Sequence, residues 1–340
     1  MTNPYDEQFY RSITDSARAS AREVLPIVQS WLRPQSVADV GCGIGTWLSV
    51  WRELGVNDVL GVDGEYVERA RLEIPSEQFQ AFDLQQPLRL NRNFDLVMSL
   101  EVAEHLPPSR AESFVTSLTQ LGSVILFSAA IPHQGGTHHV NEQWPEYWVR
   151  LFEARGFAPL DALRARCWNN ERVEWYYAQN LLLFVQEERL AELPPLPIKE
   201  PAVPLALVHP RKYQEVIDWH ANIHQAILEL GALLPFEDAF LLVDDDQFGG
   251  LLRAVRRAWP FPEQDGYYNG APLDSAAALA ELARQQAAGV RWIVFVWPTF
   301  WWLNYYQEFA AYLRTNFPCP IENERLIVFD LRNFVPPSNL

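Results

Sequence analysis

Apolar and polar positions along the chain alternate in two runs of strand-like and helix-like segments. The first opens with a long helical pattern, Tyr5 to Trp31, in which Ile13, Ala17, Ala21, Val24 and Ile27 recur near helical spacing. A short β-branched run, Val37 to Val40, predicts a buried strand. It breaks into Gly41, Gly43 and Gly45 before a helical stretch from Trp47 to Leu54. Strands follow at Asp58–Val62, Gln78–Phe82 and Phe94–Ser99. A helix over Arg110–Leu121 leads to a strand at Ser123–Ala129. After the loop Ile131–Trp144 come a helix at Trp148–Arg155, a strand near Leu160–Arg166, an aromatic polar insert at Cys167–Tyr177 and a last strand at Asn180–Gln186. The fold class is α/β, a seven-stranded sheet followed by a second, smaller α/β domain.

The break between the two runs is Ala191 to Arg211, which holds Pro194, Pro195, Pro197, Pro201, Pro204 and Pro210 and predicts an extended linker. The expected domains are therefore 1–190, a linker 191–211, and 212–340. In the last, helices are expected at Lys212–Leu234, Gly249–Ala258, Ser275–Ala288 and Phe300–Thr315. Strands are expected at Phe240–Val243, Arg291–Val296 and Arg325–Leu331, in a mostly parallel sheet. The acidic run Asp244–Asp246 reads as a solvated strand end, and the aromatic run Phe300 to Tyr306 as packing.

The glycine turn is the chemically informative stretch. Strand, glycine turn and helix open a nucleotide-binding unit, and glycine leaves the backbone bare for a ligand. The spacing is not that of a dinucleotide fingerprint, because the third glycine comes one residue early and Asp39 stands two residues before the first. Asp39-x-Gly41-x-Gly43-x-Gly45 resembles motif I of the class I S-adenosylmethionine-dependent methyltransferases, over roughly the first 190 residues. The resemblance implies a Rossmann-like sheet and S-adenosylmethionine as cofactor. It places Asp63, at the end of the second strand, on the ribose hydroxyls, and Asp83 with Leu84 at the adenine. Leu100, before the fourth loop, completes the expected cofactor set. The tail beyond the linker is similar to tails that accompany methyltransferase and glycosyltransferase domains, which assigns it no activity.

Composition narrows the partners. A formal charge of −16 over 340 residues disfavours nucleic acid and anionic membrane surfaces, so a small-molecule acceptor is expected. Cys42, Cys167 and Cys319 have neither metal nor disulfide spacing, which suits a reducing cytoplasm. No apolar run is long enough to span a bilayer. Nothing in the sequence sets the oligomeric state.

Transfer to a hydroxyl needs a base or a metal. The loops after the fourth and fifth strands should meet over the cofactor, bringing together Glu101, Glu104, His105, His133, His138, His139 and Glu142. Among these, His105 and His139 are the expected catalytic groups, and O-methylation is favoured over N-methylation. Glu101-x-x-Glu104-His105 also resembles the metal-binding motif of small-RNA 2′-O-methyltransferases, with Glu101 and His105 sharing a helical face and a later histidine completing the set. The same pattern is similar to that of ubiquinone-type small-molecule O-methyltransferases, where it does not diagnose a metal. The rival from another class is a scaffold that holds the cofactor without turnover.

Overall fold

The computed structural model describes residues 7–194, 205–248 and 257–332, with side chains from residue 14 onward. The chain divides into two compact units, Met1–Gln214 and Glu215–Leu340.

The first unit begins with helix α1, Glu7–Leu32. Its Pro26 lies on the exposed face, where the carbonyl left without an N–H partner meets water. Strand β1 (Ser36–Val40), helix α2 (Thr46–Glu53) and strands β2 (Asp58–Asp63), β3 (Phe79–Ala81) and β4 (Leu96–Leu100) follow. Then come α3 (Ala111–Leu121), β5 (Val124–Ser128), α4 (Pro145–Glu153), β6 (Phe157–Leu160), α5 (Arg164–Cys167), α6 (Trp175–Asn180) and β7 (Leu182–Gln186). The seven strands lie in the order β3-β2-β1-β4-β5-β7-β6, and β7 runs antiparallel to both its neighbours. Because β1 pairs with β2 on one side and β4 on the other, the order reverses there. A crevice opens at the carboxyl ends of β1 and β4.

Alternation along β1 distributes its side chains to two faces. Val37 joins Val24, Leu25, Val28 and Trp51 from α1 and α2, and Ala38 and Val40 join Phe114, Leu118 and Phe152 from α3 and α4. The central strands are buried on both faces, which is why they read as continuous apolar runs.

One expected strand is displaced. The segment near Leu160–Arg166 contributes only Leu160 to β6; the strand begins earlier, at Phe157, which is buried. Asp161 and Arg164 close an i,i+3 ion pair at 2.6 Å that turns the chain into α5 instead. The polar insert expected at Cys167–Tyr177 ends in helix α6.

Residues 195–204 of the proline-rich stretch lie outside the described residues. Beyond them, Leu205 to His209 are held in the first unit. The buried Arg164 guanidinium donates to the Leu205 carbonyl at 2.7 Å, and His209 N–H donates to Gln179 Oε1 at 2.7 Å. Helix α7, Pro210–Leu233, carries the chain across the boundary between the units.

The second unit is a five-stranded sheet in which β8 (Phe240–Val243) lies between β9 (Ala258–Pro260) and β12 (Trp292–Val296), parallel to both. A two-residue pair, β10 (Glu263–Gln264) and β11 (Tyr267–Tyr268), stands apart from it. β13 (Ile321–Glu322) and β14 (Leu326–Asp330) are antiparallel, so the sheet is mixed rather than mostly parallel. The short turn from Glu322 to Leu326 joins β13 to β14 and returns the chain antiparallel. The helix expected at Gly249–Ala258 falls outside the described residues except at its end, where Ala258 begins β9. The aromatic helix divides at Tyr306 into Trp301–Tyr305 and Gln307–Asn316, because Tyr306 leaves helical geometry and its hydroxyl donates to the Pro272 carbonyl at 2.6 Å. Asp245 takes bonds from Tyr268 Oη at 2.7 Å, Trp302 Nε1 at 3.1 Å and Trp301 Nε1 at 3.3 Å, so the acidic run and the aromatic run pack on one another. No described helix is long and apolar enough to cross a membrane.

Candidate active site

The glycine turn leaves β1 with φ of 89° at Gly41, 55° at Gly43 and 85° at Gly45, all in the left-handed region. Gly41 is constrained twice, since a Cβ there would also lie 2.3 Å from Val102 Cγ2. The turn is tied to the second strand: Gly41 N–H donates to the Val62 carbonyl at 2.7 Å, and Gly43 N–H to Asp63 Oδ2 at 2.6 Å. Asp63 Oδ1 accepts from Gly64 N–H at 2.7 Å and from the Tyr66 hydroxyl. The hydroxyl of Tyr66 therefore stands where a ribose hydroxyl would bond the same carboxylate.

Two cavities meet at this turn. One of about 670 Å³ is lined by Gly41, Gly43, Asp63, Tyr66, Asp83, Leu84, Glu101 and His105. Another of about 540 Å³ lies toward α1 and is lined by Asp39, Gly41, Thr46, Trp47, Arg71, Leu100 and Tyr177. Every expected cofactor residue except Gly45 lines one or the other. Gly45 serves instead as the left-handed entry to α2, where a Cβ would lie 2.9 Å from Ile74 Cγ1.

Asp39 is 3% exposed, and no described group hydrogen-bonds its carboxylate. Burial, and then the charge of Asp63, push its carboxyl up to about 8. A cationic amino-acid end in the smaller cavity would reverse that shift, so the chemistry of the site fits an ammonium beside Asp39 and a diol beside Asp63.

Across the crevice the loops after β4 and β5 meet. Val140 and Asn141 N–H donate to the Glu104 carbonyl at 2.8 and 3.0 Å, which docks one loop on the other. His105 and His139 lie edge to face, with ring centroids 4.8 Å apart. His139 Nδ1 is 2.9 Å from Glu142 Oε1. A carboxylate only accepts, so Nδ1 carries a proton and donates it to Glu142. Glu142 is itself held by the backbone amides of His133 at 2.7 Å and Gly135 at 3.0 Å. Burial, and then the neighbouring His139, hold His105 below its ordinary value, so it is neutral near pH 7.

Glu104, His105 and His139 bring ligand atoms within 4.8 Å of one another. Glu104 is fully buried and neither carboxylate oxygen has a hydrogen-bond partner. Burial, and then the charge of Glu101, raise its carboxyl well above the ordinary range. An orphaned carboxylate beside two imidazoles fits a divalent metal such as Mn, Fe or Zn. Glu101 is not in this group. The expected helix is only a 3₁₀ turn, Ala103–His105, and Glu101 has φ 54°, which sends its side chain to Gln134 and Asn180. His133 and His138 are exposed, with φ of 64° and 60°, and stay outside the group.

Sequence reasoning missed Tyr66, Tyr177, Gln134, Gln179 and Asn180. The last pair left a signal: two buried amides one residue before a strand that is apolar up to its final Gln186.

Among solved structures, DesVI of Streptomyces venezuelae is 16% identical, with 53% of this chain and 95% of that chain covered and a TM-score of 0.41. The methyltransferase domain of a bacterial Hen1 (CtHen1-CN) is 18% identical over 50% of this chain and 98% of that one, with a TM-score of 0.37. Magnesium protoporphyrin IX methyltransferase of Synechocystis PCC 6803, solved with S-adenosylhomocysteine, is 16% identical over 51% and 84%, with a TM-score of 0.37. No curated protein matches the chain. A family profile described as a methyltransferase domain matches residues 11–180, which hold the glycine turn, Asp63, Asp83 and both histidine-bearing loops. The chain belongs to that family and is a class I S-adenosylmethionine-dependent methyltransferase.

Proposed function

We propose that the chain methylates a hydroxyl group of a small-molecule acceptor, in the cytoplasm. The observation that carries this reading is the pair of imidazoles, His105 in the wall of the larger cavity and His139 edge-on to it with Glu142 behind. A hydroxyl nucleophile must give up a proton in the transfer, and an imidazole is suited to take it. The charge of −16 supports a small acceptor over a polyanion, and the three free cysteines support a reducing compartment.

S-adenosylmethionine supplies a methyl carbon made electrophilic by the sulfonium. Asp39 meets the amino-acid end, Asp63 the ribose hydroxyls, and Asp83 with Leu84 the base, which fixes where the methyl points. His105 takes the proton of the acceptor hydroxyl. The acceptor oxygen then bonds the methyl carbon as the carbon–sulfur bond breaks, and its electron pair leaves with sulfur. Glu142 keeps His139 in one tautomer, and His139 holds the His105 ring edge-on.

The test is transfer of labelled methyl to pooled hydroxylated acceptors. His105→Ala should lose about 10²–10⁴-fold in turnover with cofactor affinity unchanged. Equal turnover by wild type, His105→Ala and His139→Ala would sink the reading. Cofactor binding without any product would favour the scaffold.

A second reading is favoured by the orphaned Glu104 carboxylate: Glu104, His105 and His139 would hold a divalent metal that acidifies the acceptor hydroxyl. Activity lost to a chelator and restored by Mn or Fe supports it, and indifference to both removes it.

A further inference from the structure

Glu101 stands just past the end of β4 in the wall of the 670 Å³ cavity, which Gly41, Gly43 and His105 also line, and is not one of the Glu104–His105–His139 group. Two side-chain amides meet its carboxylate. Gln134 Nε2 donates to Oε2 at 2.7 Å, and Asn180 Nδ2 lies 3.1 Å from Oε1 and 3.3 Å from Oε2. A side-chain amide can be turned end for end, so the sense of these bonds must be fixed by groups that cannot turn.

Two backbone amides fix it. Ile131 N–H donates to Gln134 Oε1 at 3.2 Å, which leaves the Gln134 nitrogen facing Glu101. His209 N–H donates to Gln179 Oε1 at 2.7 Å, which sends Gln179 Nε2 to Asn180 Oδ1 at 3.0 Å and the Asn180 nitrogen to Glu101. Asn180 Nδ2 also reaches Gln134 Oε1 at 2.9 Å and joins the two branches. His209 is pinned in turn. Its Nδ1 accepts from Arg211 N–H at 3.2 Å, so Nε2 donates to the Trp168 carbonyl at 2.7 Å.

Every bond in the relay therefore runs toward Glu101. A carboxyl group faced by two N–H donors accepts on both oxygens, and such donors favour the ionised form. Burial lifts this carboxyl above its ordinary value, while Asn180, Ser128 and Gln134 pull it back. His139 pulls it the same way. Four polar side chains, with Gln179 and Asn180 almost fully buried, thus turn donors toward one carboxyl at the cavity wall and favour its charged form without a cationic side chain bonded to it.

We infer that Glu101 recognises the methyl acceptor by taking a hydrogen bond from an ammonium or hydroxyl next to the methylated position, with Gln134, Asn180 and Gln179 as positioning residues. The inference rests on the O-methyl transfer reading for what fills the cavity. It names a substrate class: polyhydroxy or amino-hydroxy compounds. Acceptors with a carboxylate or phosphate at that point are excluded, since like charges would face each other in a partly desolvated wall.

Infrared difference spectra of the full chain, wild type minus Glu101→Gln, read the first half directly. At neutral pH the wild type should contribute a carboxylate stretch and no protonated-carboxyl band. Gln134→Leu with Asn180→Leu should produce that band while calorimetric S-adenosylhomocysteine binding is unchanged. Should the leucine pair not fold, the isosteric Asn180→Asp, which puts an acceptor where a donor stood, should do the same. A protonated band in wild type, or none in these variants, overturns the inference. The second half is read by methyl transfer to methyl glucoside, glucosamine and glucuronate. Glucuronate should be poorer by about 100-fold in kcat/KM, and Asn180→Leu should raise KM for the other two about tenfold. Glucuronate turned over as well as the others overturns the inference. If none is methylated while Glu101 is ionised, the O-methyl reading is what has failed, and the infrared result still decides the state of Glu101.

Discussion

Asp39 makes cofactor affinity depend on pH near neutrality. In the free protein its carboxyl sits at about 8, from burial first and from Asp63 second. At pH 7 about nine molecules in ten carry it protonated. A bound ammonium favours the ionised form, so binding must first remove the proton. That costs ~1.4 kcal/mol at pH 7 and ~2.7 kcal/mol at pH 6, which is about tenfold in affinity for each unit below 8. The same shift acts on folding with the opposite consequence. Below the ordinary value of 3.8 both the folded and unfolded chains are protonated and nothing is lost. Between there and about 8 only the unfolded chain ionises, so stability falls as pH rises, by on the order of 5 kcal/mol in all. Asp39→Asn should therefore be more stable than wild type at pH 8 and bind cofactor more weakly. The assay is calorimetry with S-adenosylhomocysteine from pH 6 to 8 in buffers of different ionisation enthalpy, beside denaturant unfolding of both proteins. Wild type should release close to one proton on binding at pH 7, and Asp39→Asn none. A pH-independent affinity in wild type, or the same proton release in the variant, would refute the reasoning.

Two further substitutions probe the same crevice. Gly41→Ala should abolish measurable cofactor binding, because its φ of 89° costs an L-residue about 1–2 kcal/mol and its Cβ would drive Val102 out of the cavity wall; equilibrium dialysis with labelled cofactor checks it. Tyr66→Phe should tighten cofactor binding by about 0.5–1.5 kcal/mol, since the Tyr66 hydroxyl occupies the Asp63 oxygen that a ribose hydroxyl would use. Unchanged or weaker affinity of that variant by calorimetry would mean that the hydroxyl does not compete.

The residues expected to hold the cofactor stand at or near strand ends, and the structure gathers them around one turn. Asp63 and the glycines follow from where a short apolar run stops, Asp39 is the last but one residue of β1, and the parallel sheet lines these positions up on one edge. The acceptor half was not legible in the same way. Glu101 and His105 were expected to share a helical face, but a local spacing rule fails where the chain makes only a 3₁₀ turn and Glu101 takes a left-handed φ. Gln134, Asn180 and His209 are distant in sequence, and their role exists only once the β5 loop, α6 and the segment after the prolines converge. Leu160–Arg166 went astray for a smaller reason. Its apolar residues suit either a strand or a turn of helix, and the Asp161–Arg164 pair decides.

The segment Leu205–His209 also bears on how the catalytic unit can be cut from the chain. Family resemblance ends at 180, and the last strand of the first sheet ends at Gln186. A fragment stopped there would look whole by sequence. It would lack the Leu205 carbonyl that receives the buried Arg164 guanidinium and the His209 amide that orients Gln179. Each loss leaves a buried polar group without its partner, at about 1–3 kcal/mol apiece. It would also free the amides around Glu101 to turn over. The smallest self-sufficient enzyme is therefore longer than its homology, and shortening it to the recognisable part should yield a protein that folds less well and chooses its substrate less strictly.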